Sequence, residues 1–314
     1  MKKRKTILVS GSCGFIGVNL CNRLIKDGHN VIGIDNKSCE SPLELPDEVE
    51  LIEADIQDML FIEDSIGDID EIYHLASLAS PKFYKKNPLA TIDTNINGTI
   101  AMAEFALARN ARLLLTSTSE VYGDPGVFPQ PESYNGNVNC LSDRACYDES
   151  KRTAETIMYE YQKQGLKGIV VRIFNTYGPG IRPDDGRMVG EFIWRLLHNE
   201  PVTVYNGGNQ TRSLCFVDDL VEWLCRAMRR GEFGPLNIGN DVEMSVNSIL
   251  KAICKIMEVE PEIINKELKD GDPNRRCPDL TKTQLSLGDF SKTAINHGLN
   301  KTIMYLMILK TKMS

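Results

Sequence analysis

A doubly wound α/β fold, with helices on both faces of a parallel sheet, is what this sequence predicts. Three observations carry the prediction. Short apolar runs alternate with amphipathic helical stretches through the first half of the chain. Several of those runs are apolar throughout, as strands covered on both faces should be. The first run ends in Gly11-Ser-Cys-Gly14-Phe-Ile-Gly17, glycines set where a strand turns into a helix.

The elements follow in order. Thr6 to Ser10, Asn30 to Ile34, Val49 to Glu53, Glu71 to Leu75, Leu113 to Thr116 and Gly168 to Ile173 read as strands. Phe15 to Lys26, Ala90 to Arg109 and Tyr147 to Gln164 read as helices. In the last, Ala154, Ile157, Met158 and Tyr161 recur at helical spacing and predict a core stripe. After Gly178-Pro-Gly180 the rhythm changes. A helix from Met188 to His198, a strand at Val202 to Tyr205 and a turn at Asn206-Gly-Gly208 follow. The stretch Leu214 to Met228 is expected to return to the sheet as a strand and helix.

Composition limits the function classes. The chain has 314 residues and is 42% apolar, enough for a large core and about two domains by length. A formal charge of −7 argues against a broad nucleic-acid surface, so an anionic ligand must meet local arginines. Nine cysteines without a CxxC pair, and four scattered histidines, suggest neither a metal site nor a disulfide framework. Reduced thiols in the cytoplasm are the expectation. The basic Met1 to Lys5 is followed by too short an apolar run for a signal peptide. Ile303 to Leu309 is far below a membrane span, so no membrane partner is expected.

The glycine loop has the spacing Gly-x-x-Gly-x-x-Gly, which permits a tight turn and close approach of backbone to a pyrophosphate. Asp35 ends the next strand, eighteen residues after Gly17. A carboxylate there accepts hydrogen bonds from the ribose of NAD and repels the extra phosphate of NADP. Gly11, Gly14, Gly17 and Asp35 are thus cofactor candidates, with Phe15, Ile16, Asn36, Asp55, Ile56 and Leu75 beside them. Asp55 has a solvated surface role as an open alternative. Residues 1–178 read as the NAD-binding domain, with 213–231 returning to it, and 179–314 as a smaller α/β substrate-binding region.

The chemistry is read from Leu113-Leu-Leu-Thr-Ser-Thr-Ser-Glu-Val-Tyr-Gly-Asp124, an apolar run ending in hydroxyls and one carboxylate. Tyr147 and Lys151 follow at i and i+4 of a helix. Together they supply a general base, a cation to lower its pKa, and the Thr118 hydroxyl on the same substrate oxygen. A second pair, Tyr159 and Lys163, lies further down the helix and reads as a solvated i,i+4 pair.

Longer stretches then carry a resemblance. They are Tyr73-His-Leu-Ala76, Ala79-Ser-Pro81 with Tyr84, Thr116 to Pro125, Pro129-Gln-Pro-Glu132 and Cys146-Tyr-Asp-Glu149. Arg172 to Pro179, Asp184-Asp-Gly-Arg187, Gln210-Thr-Arg-Ser213 and Leu287-Gly288 complete them. The chain resembles the extended short-chain dehydrogenases/reductases and, among them, the UDP-glucuronate decarboxylases or UDP-xylose synthases. The resemblance implies catalytic roles for Thr118, Glu120, Tyr147, Lys151 and Arg276. It implies a UDP-sugar site from Pro81, Tyr84, Ser119, Glu120, Asn175, Arg182, Tyr205, Arg212 and Arg276. Where sugar 4,6-dehydratases carry an Asp, Ser119 stands, so the acid for eliminating water is missing. Simple 4-epimerases typically lack the carboxylate of Glu120.

The implied reaction oxidises the sugar C4, places the carboxylate β to a ketone, releases carbon dioxide, protonates C5 and reduces C4 again. NAD is recycled. Alternatives are a 4-epimerase of UDP-glucuronate, an oxidative decarboxylase releasing the 4-keto pentose, and a non-catalytic NAD-binding scaffold. Ser10, Leu78, Asn135 and Cys277 depart from the family's usual Thr, Pro, Trp and Lys. The resemblance also implies a homodimer through a four-helix interface built from the two long helices.

Overall fold

The computed structural model describes residues 4–58, 62, 65–232, 234–267 and 274–313. Its strands in chain order are β1 (Thr6–Ser10), β2 (Asn30–Asp35), β3 (Glu50–Glu53), β4 (Glu71–His74), β5 (Arg112–Thr118), β6 (Lys167–Ile173) and β7 (Thr176–Tyr177). Then come β8 (Val202–Tyr205), β9 (Thr211–Ser213), β10 (Cys215–Phe216), β11 (Pro235–Ile238), β12 (Glu243–Ser245), β13 (Ile263–Lys266) and β14 (Arg275–Arg276). The described helices longer than one turn are α1 (Phe15–Lys26), α2 (Pro81–Lys86), α3 (Pro88–Ala108), α4 (Ala145–Lys163) and α5 (Met188–Leu197). They continue with α6 (Val217–Arg230), α7 (Val246–Met257), α8 (Thr281–Leu287) and α9 (Ile295–Met313).

Seven strands make one parallel sheet in the order β11-β6-β5-β4-β1-β2-β3. Strand alternation sorts the core into two layers. Ile7, Val9 and Leu114 face Leu20 and Leu24 of α1 and Leu220 and Trp223 of α6. Leu8, Leu113 and Leu115 face Met102 and Phe105 of α3 and Ala154 and Met158 of α4. Both faces are thus covered, which is why these strands are apolar at every position. Of the expected stripe on α4, Ala154 and Met158 are fully buried, Tyr161 packs at the margin, and Ile157 is half-buried.

The chain order reverses between β1 and β4, and ligands bind at such a switch point, beyond the carboxyl ends of the strands. Gly11, Asp35, Leu75 and Ser119 all lie at that edge.

One expected placement needs correcting. Leu214 to Met228 does hold a strand and a helix, but β10 pairs with β7 in a separate two-stranded sheet. Only α6 returns to the main layer, packing beside α1. The strand that closes the sheet is β11, residues 235–238, within the stretch read as substrate region. Its four residues Pro-Leu-Asn-Ile, interrupted by a polar side chain, gave no apolar run to find. Beyond the sheet, a third core joins Ile181 and Ile193 to Val204, Ile249, Leu299 and Ile303.

The glycine loop is fixed by sterics. Gly11 has φ +73°, and a Cβ there would lie 2.7 Å from the Ala76 nitrogen. A Cβ on Gly17 would lie 2.1 Å from the Gly11 carbonyl oxygen, so α1 seats on β1 through bare backbone. Gly17→Ala should therefore lower unfolding stability by about 1–3 kcal/mol, read as a shifted urea midpoint, because rigid backbone must move. An unchanged midpoint would mean the loop relaxes freely.

Candidate active site

The hydroxyl cluster stands where β5 runs out. Thr118 ends the strand, and its side-chain oxygen accepts from the Glu120 amide at 3.2 Å, capping a one-turn 3-10 helix over Ser119–Tyr122. That turn swings Ser119 inward, where it is buried, and aims Glu120 at the start of α4.

Tyr147 sits in the first turn of α4 and is buried. Its phenol is hydrogen-bonded with the Thr118 hydroxyl. Burial pushes the phenol up to about 12, the Thr118 bond pulls it down, and the charge of Glu120 pushes it up again. Lys151, one turn on, is buried and donates to the Thr116 carbonyl at 3.0 Å. Burial lowers its ammonium to about 8, against the pull of Glu155. The expected depression of the Tyr147 phenol is therefore not seen in this structure: desolvation outweighs any help from the neighbouring ammonium. Tyr84, from α2, stacks flat on Tyr147 with centroids 5.3 Å apart and planes 9° from parallel.

Glu120 is pinned from two sides. One carboxylate oxygen pairs with Arg276 and the other with Arg144. Although burial alone would raise it, the Arg276 and Arg144 charges hold this carboxyl down at about 2. Arg276 belongs to β14, which runs parallel to β9 with Arg276 opposite Arg212, so both arginines leave the same face. The stretch 129–132 fixes that strand. Gln130 donates its amide to the Cys277 carbonyl at 2.9 Å and accepts from the Cys277 amide on Oε1 at 2.8 Å. Glu132 accepts from the Asn237 amide on β11 at 2.8 Å.

The other candidates divide. Asn175, just past β6, has a buried Oδ1 with no hydrogen-bond partner among the described residues, an open acceptor at the sheet's carboxyl edge. Arg212 donates to the Thr211 carbonyl at 2.8 Å. Arg182 is occupied by Asp184 and the Glu40 carbonyl, and Tyr205 ends β8. Pro81 opens α2. The structure does not bring Arg182 into the Glu120 cluster. Tyr159 and Lys163 form an exposed cation–π pair at 4.3 Å, as expected of solvated residues.

Two residues escaped the sequence reading. Arg144 immediately precedes α4 and looks like any surface arginine. Asp148 lies within the stretch 146–149 but was not singled out. Burial and the Glu120 charge raise its carboxyl to about 7. No sequence spacing signals that Arg144 lies beside Glu120, since the contact spans a long loop.

A fold and site of this kind define a class: nicotinamide-dependent enzymes that oxidise an alcohol carbon. Residues 7–239 match the model of the NAD dependent epimerase/dehydratase family, and the chain belongs to that family. It is 46% identical over 300 residues to UDP-glucuronic acid decarboxylase 5 of Arabidopsis thaliana, covering 93% of this chain and 86% of the relative. It is 44% identical over 310 residues to UDP-glucuronic acid decarboxylase 1 of Xenopus tropicalis, covering 97% and 72%. A solved UDP-glucose 4-epimerase from Thermotoga maritima with UDP-glucose superposes with TM-score 0.91 at 29% identity, covering 97% of this chain and 99% of that one. A UDP-glucuronic acid 4-epimerase from Bacillus cereus, solved with UDP-glucuronic acid and NAD, gives 0.85 at 26%, covering 97% and 99%.

The cofactor is NAD, and the residues fit it. The bare cradle of Gly11 and Gly17 would be filled by any Cβ. Gly14 caps α1, so the first amides of the helix, at Phe15 and Ile16, are free of helical partners and suited to a pyrophosphate. Asp35 accepts from the Cys13 and Lys37 amides at 2.9 and 2.7 Å, leaving lone pairs for ribose hydroxyls. Asn36 donates to Asp55 at 3.0 Å, placing that pair beyond Asp35. The Ile56 side chain is buried against Gly98, so its contribution would be backbone. Leu75 is half-buried and donates its amide to Ser10.

The depressed Glu120 carboxyl has a stability consequence. Ionised in the fold down to about pH 2, it stabilises the native state above the unfolded Glu range and loses that contribution as pH falls toward 2. The urea-midpoint gap between wild type and Glu120→Gln should be widest above pH 4.5 and shrink toward pH 2. A gap that widens on acidification would contradict the double pairing.

Proposed function

We propose that this protein decarboxylates UDP-glucuronate to UDP-xylose through a UDP-4-keto intermediate, with NAD recycled. The observation that carries the reading is Glu120 held by two arginines beside Tyr147 and Thr118. A guanidinium already committed to a carboxylate there is suited to receive the carboxylate of a uronate. The likeness to UDP-glucuronic acid decarboxylases over nearly the whole chain supports it.

When bound in the Gly11–Gly17 cradle, NAD would supply a reversible hydride acceptor for the sugar C4. In its phenolate form, its own proton already given up, the Tyr147 oxygen takes the C4 hydroxyl proton, with Thr118 sharing the hydrogen bond. Lys151 stands one turn behind as the cationic partner of that proton movement. Once C4 is a ketone, the carboxylate is β to it and carbon dioxide leaves as electrons move onto the C4 oxygen. Tyr147 and Thr118 stabilise that oxyanion. Arg276 receives the substrate carboxylate, while Glu120 and Ser119 order the water from which C5 is protonated. Arg212 and Asn175 hold the nucleotide-sugar. Tyr84, flat on Tyr147, shields the phenol from water.

Residues 1–178 together with α6 and β11, which complete the main sheet and its helical layer, form the cofactor domain, and the rest of 179–314 serves the UDP-sugar. The molecule is a homodimer: α3 and α4 lie side by side on one face of the sheet, and the outer side of α3 carries Ile92, Ile96 and Ile100 at helical spacing, with Leu89 79% exposed. Nine free cysteines suit a reducing cytoplasm. No described helix is long and apolar enough to cross a membrane.

Purified protein given UDP-glucuronate should yield a UDP-pentose without net NADH absorbance. Accumulating NADH would mean the final reduction fails, and an isomeric uronate would make the protein an epimerase. Tyr147→Phe should cut turnover about 10²–10⁴-fold while NAD stays bound. Light scattering should give twice the chain mass, and Ile96→Glu should halve it.

A further inference from the structure

Arg144 is the strongest group beside the reacting atoms to which no role has yet been given. It stands at the N-terminal boundary of α4, where its carbonyl accepts the Tyr147 and Asp148 amides at 2.9 and 3.1 Å. A cation at a helix N-terminus opposes the helix dipole. This side chain is also 12% exposed, so most of its hydration is lost. Its placement works against stability unless an anion holds it, and Glu120 does, with the partly charged Asp148 beside them. Glu120 pairs with its Nη2, and the Asp148 carboxylate lies 3.9 Å from its Nε.

The sharing of Glu120 matters during the reaction. Arg276 pairs with Oε1 and Arg144 with Oε2, so each guanidinium has its own oxygen. A uronate substrate brings a further carboxylate, which the decarboxylase reading assigns to Arg276. Were Arg276 the sole partner of Glu120, its transfer to substrate would strand a buried carboxylate without a counter-charge. A second arginine removes that obstacle. Asp148, whose carboxyl burial and the Glu120 charge raise to about 7, lies beside Arg144 with its Oδ1 lacking a hydrogen-bond partner among the described residues.

We propose that Arg144 is a positioning residue: when the substrate carboxylate takes Arg276, Arg144 keeps Glu120 at its station beside C5. The inference rests on the decarboxylase reading. Arg144 acts on C5 protonation through Glu120 and does not itself hold the sugar. After carbon dioxide departs, the C4 oxygen re-forms its ketone as C5 takes a proton from the water that Glu120 orders, solvent supplies a proton to the hydroxide left behind, and Arg276 returns to Oε1.

The test is a double-mutant cycle in NAD-loaded enzyme, with UDP-glucuronate as substrate: wild type, Arg144→Gln, Glu120→Ala and the double variant. Arg144→Gln should lower kcat about tenfold or more and leave KM within about threefold. The double variant should be no slower than Glu120→Ala alone, because a residue acting through Glu120 has nothing left to act on. Arg144→Lys, which keeps the charge, should recover part of kcat, and it runs the same cycle if Arg144→Gln does not fold. Multiplied losses in the double variant would assign Arg144 a merely structural role and overturn the proposal. A raised KM with unchanged kcat would overturn it too, by making Arg144 the substrate's own anchor. Absence of UDP-pentose from wild type would instead overturn the decarboxylase reading, and this inference with it.

Discussion

The pairing of Glu120 with arginines on either side is the interaction on which the rest of the site depends. Glu120 lies two residues past the end of β5, Arg144 precedes α4, and Arg276 comes from β14, far along the chain. One carboxylate therefore ties the nucleotide-binding sheet to the region beyond it. Buried ion pairs contribute little net stability, but leaving one partner alone is costly. The arrangement is thus better read as a device of specificity: it demands that three distant segments meet in one register. Gln130 serves the same end through neutral bonds, clasping Cys277 beside Arg276 from both sides.

Burial sets the proton chemistry. Tyr147 is held protonated by desolvation, and Lys151 is brought down toward neutrality by the same cause. Desolvation thus drives the two groups apart from nearly equal ordinary values, favouring the neutral phenol and the neutral amine, so a proton placed on Tyr147 is held there rather than passed to Lys151. His74, behind them, is kept neutral by burial and bridges Ser10 on β1 to Thr99 on α3 at 2.7 and 3.3 Å. That bridge fixes β4 against β1 at the switch point.

Much of this was legible in the sequence, for reasons that differ by residue. The sheet was readable because strands covered on both faces need apolar residues at every position, as Leu113 to Leu115 show. The helix α1 was found with its bounds because Gly14 starts it and Gly28 follows its end. Strand β11 was missed because four residues with a buried Asn237 mimic a loop. Its polar side chain is satisfied by the Tyr122 hydroxyl and the Gln130 carbonyl, partners invisible along the chain. Arg276 entered through a resemblance, and the structure explains its position by the register of β14 with β9. Arg144 could not be read at all, since a lone arginine before a helix carries no spacing signal.

The most direct measurement of the central claim is the reaction in heavy water, with the product's isotopes located by NMR. A uronate decarboxylated at C5 with its C4 hydrogen returned from a recycled cofactor must give a UDP-pentose with one solvent deuterium, at C5, and none at C4. Deuterium at C4, or a product that keeps its carboxylate, would contradict the account.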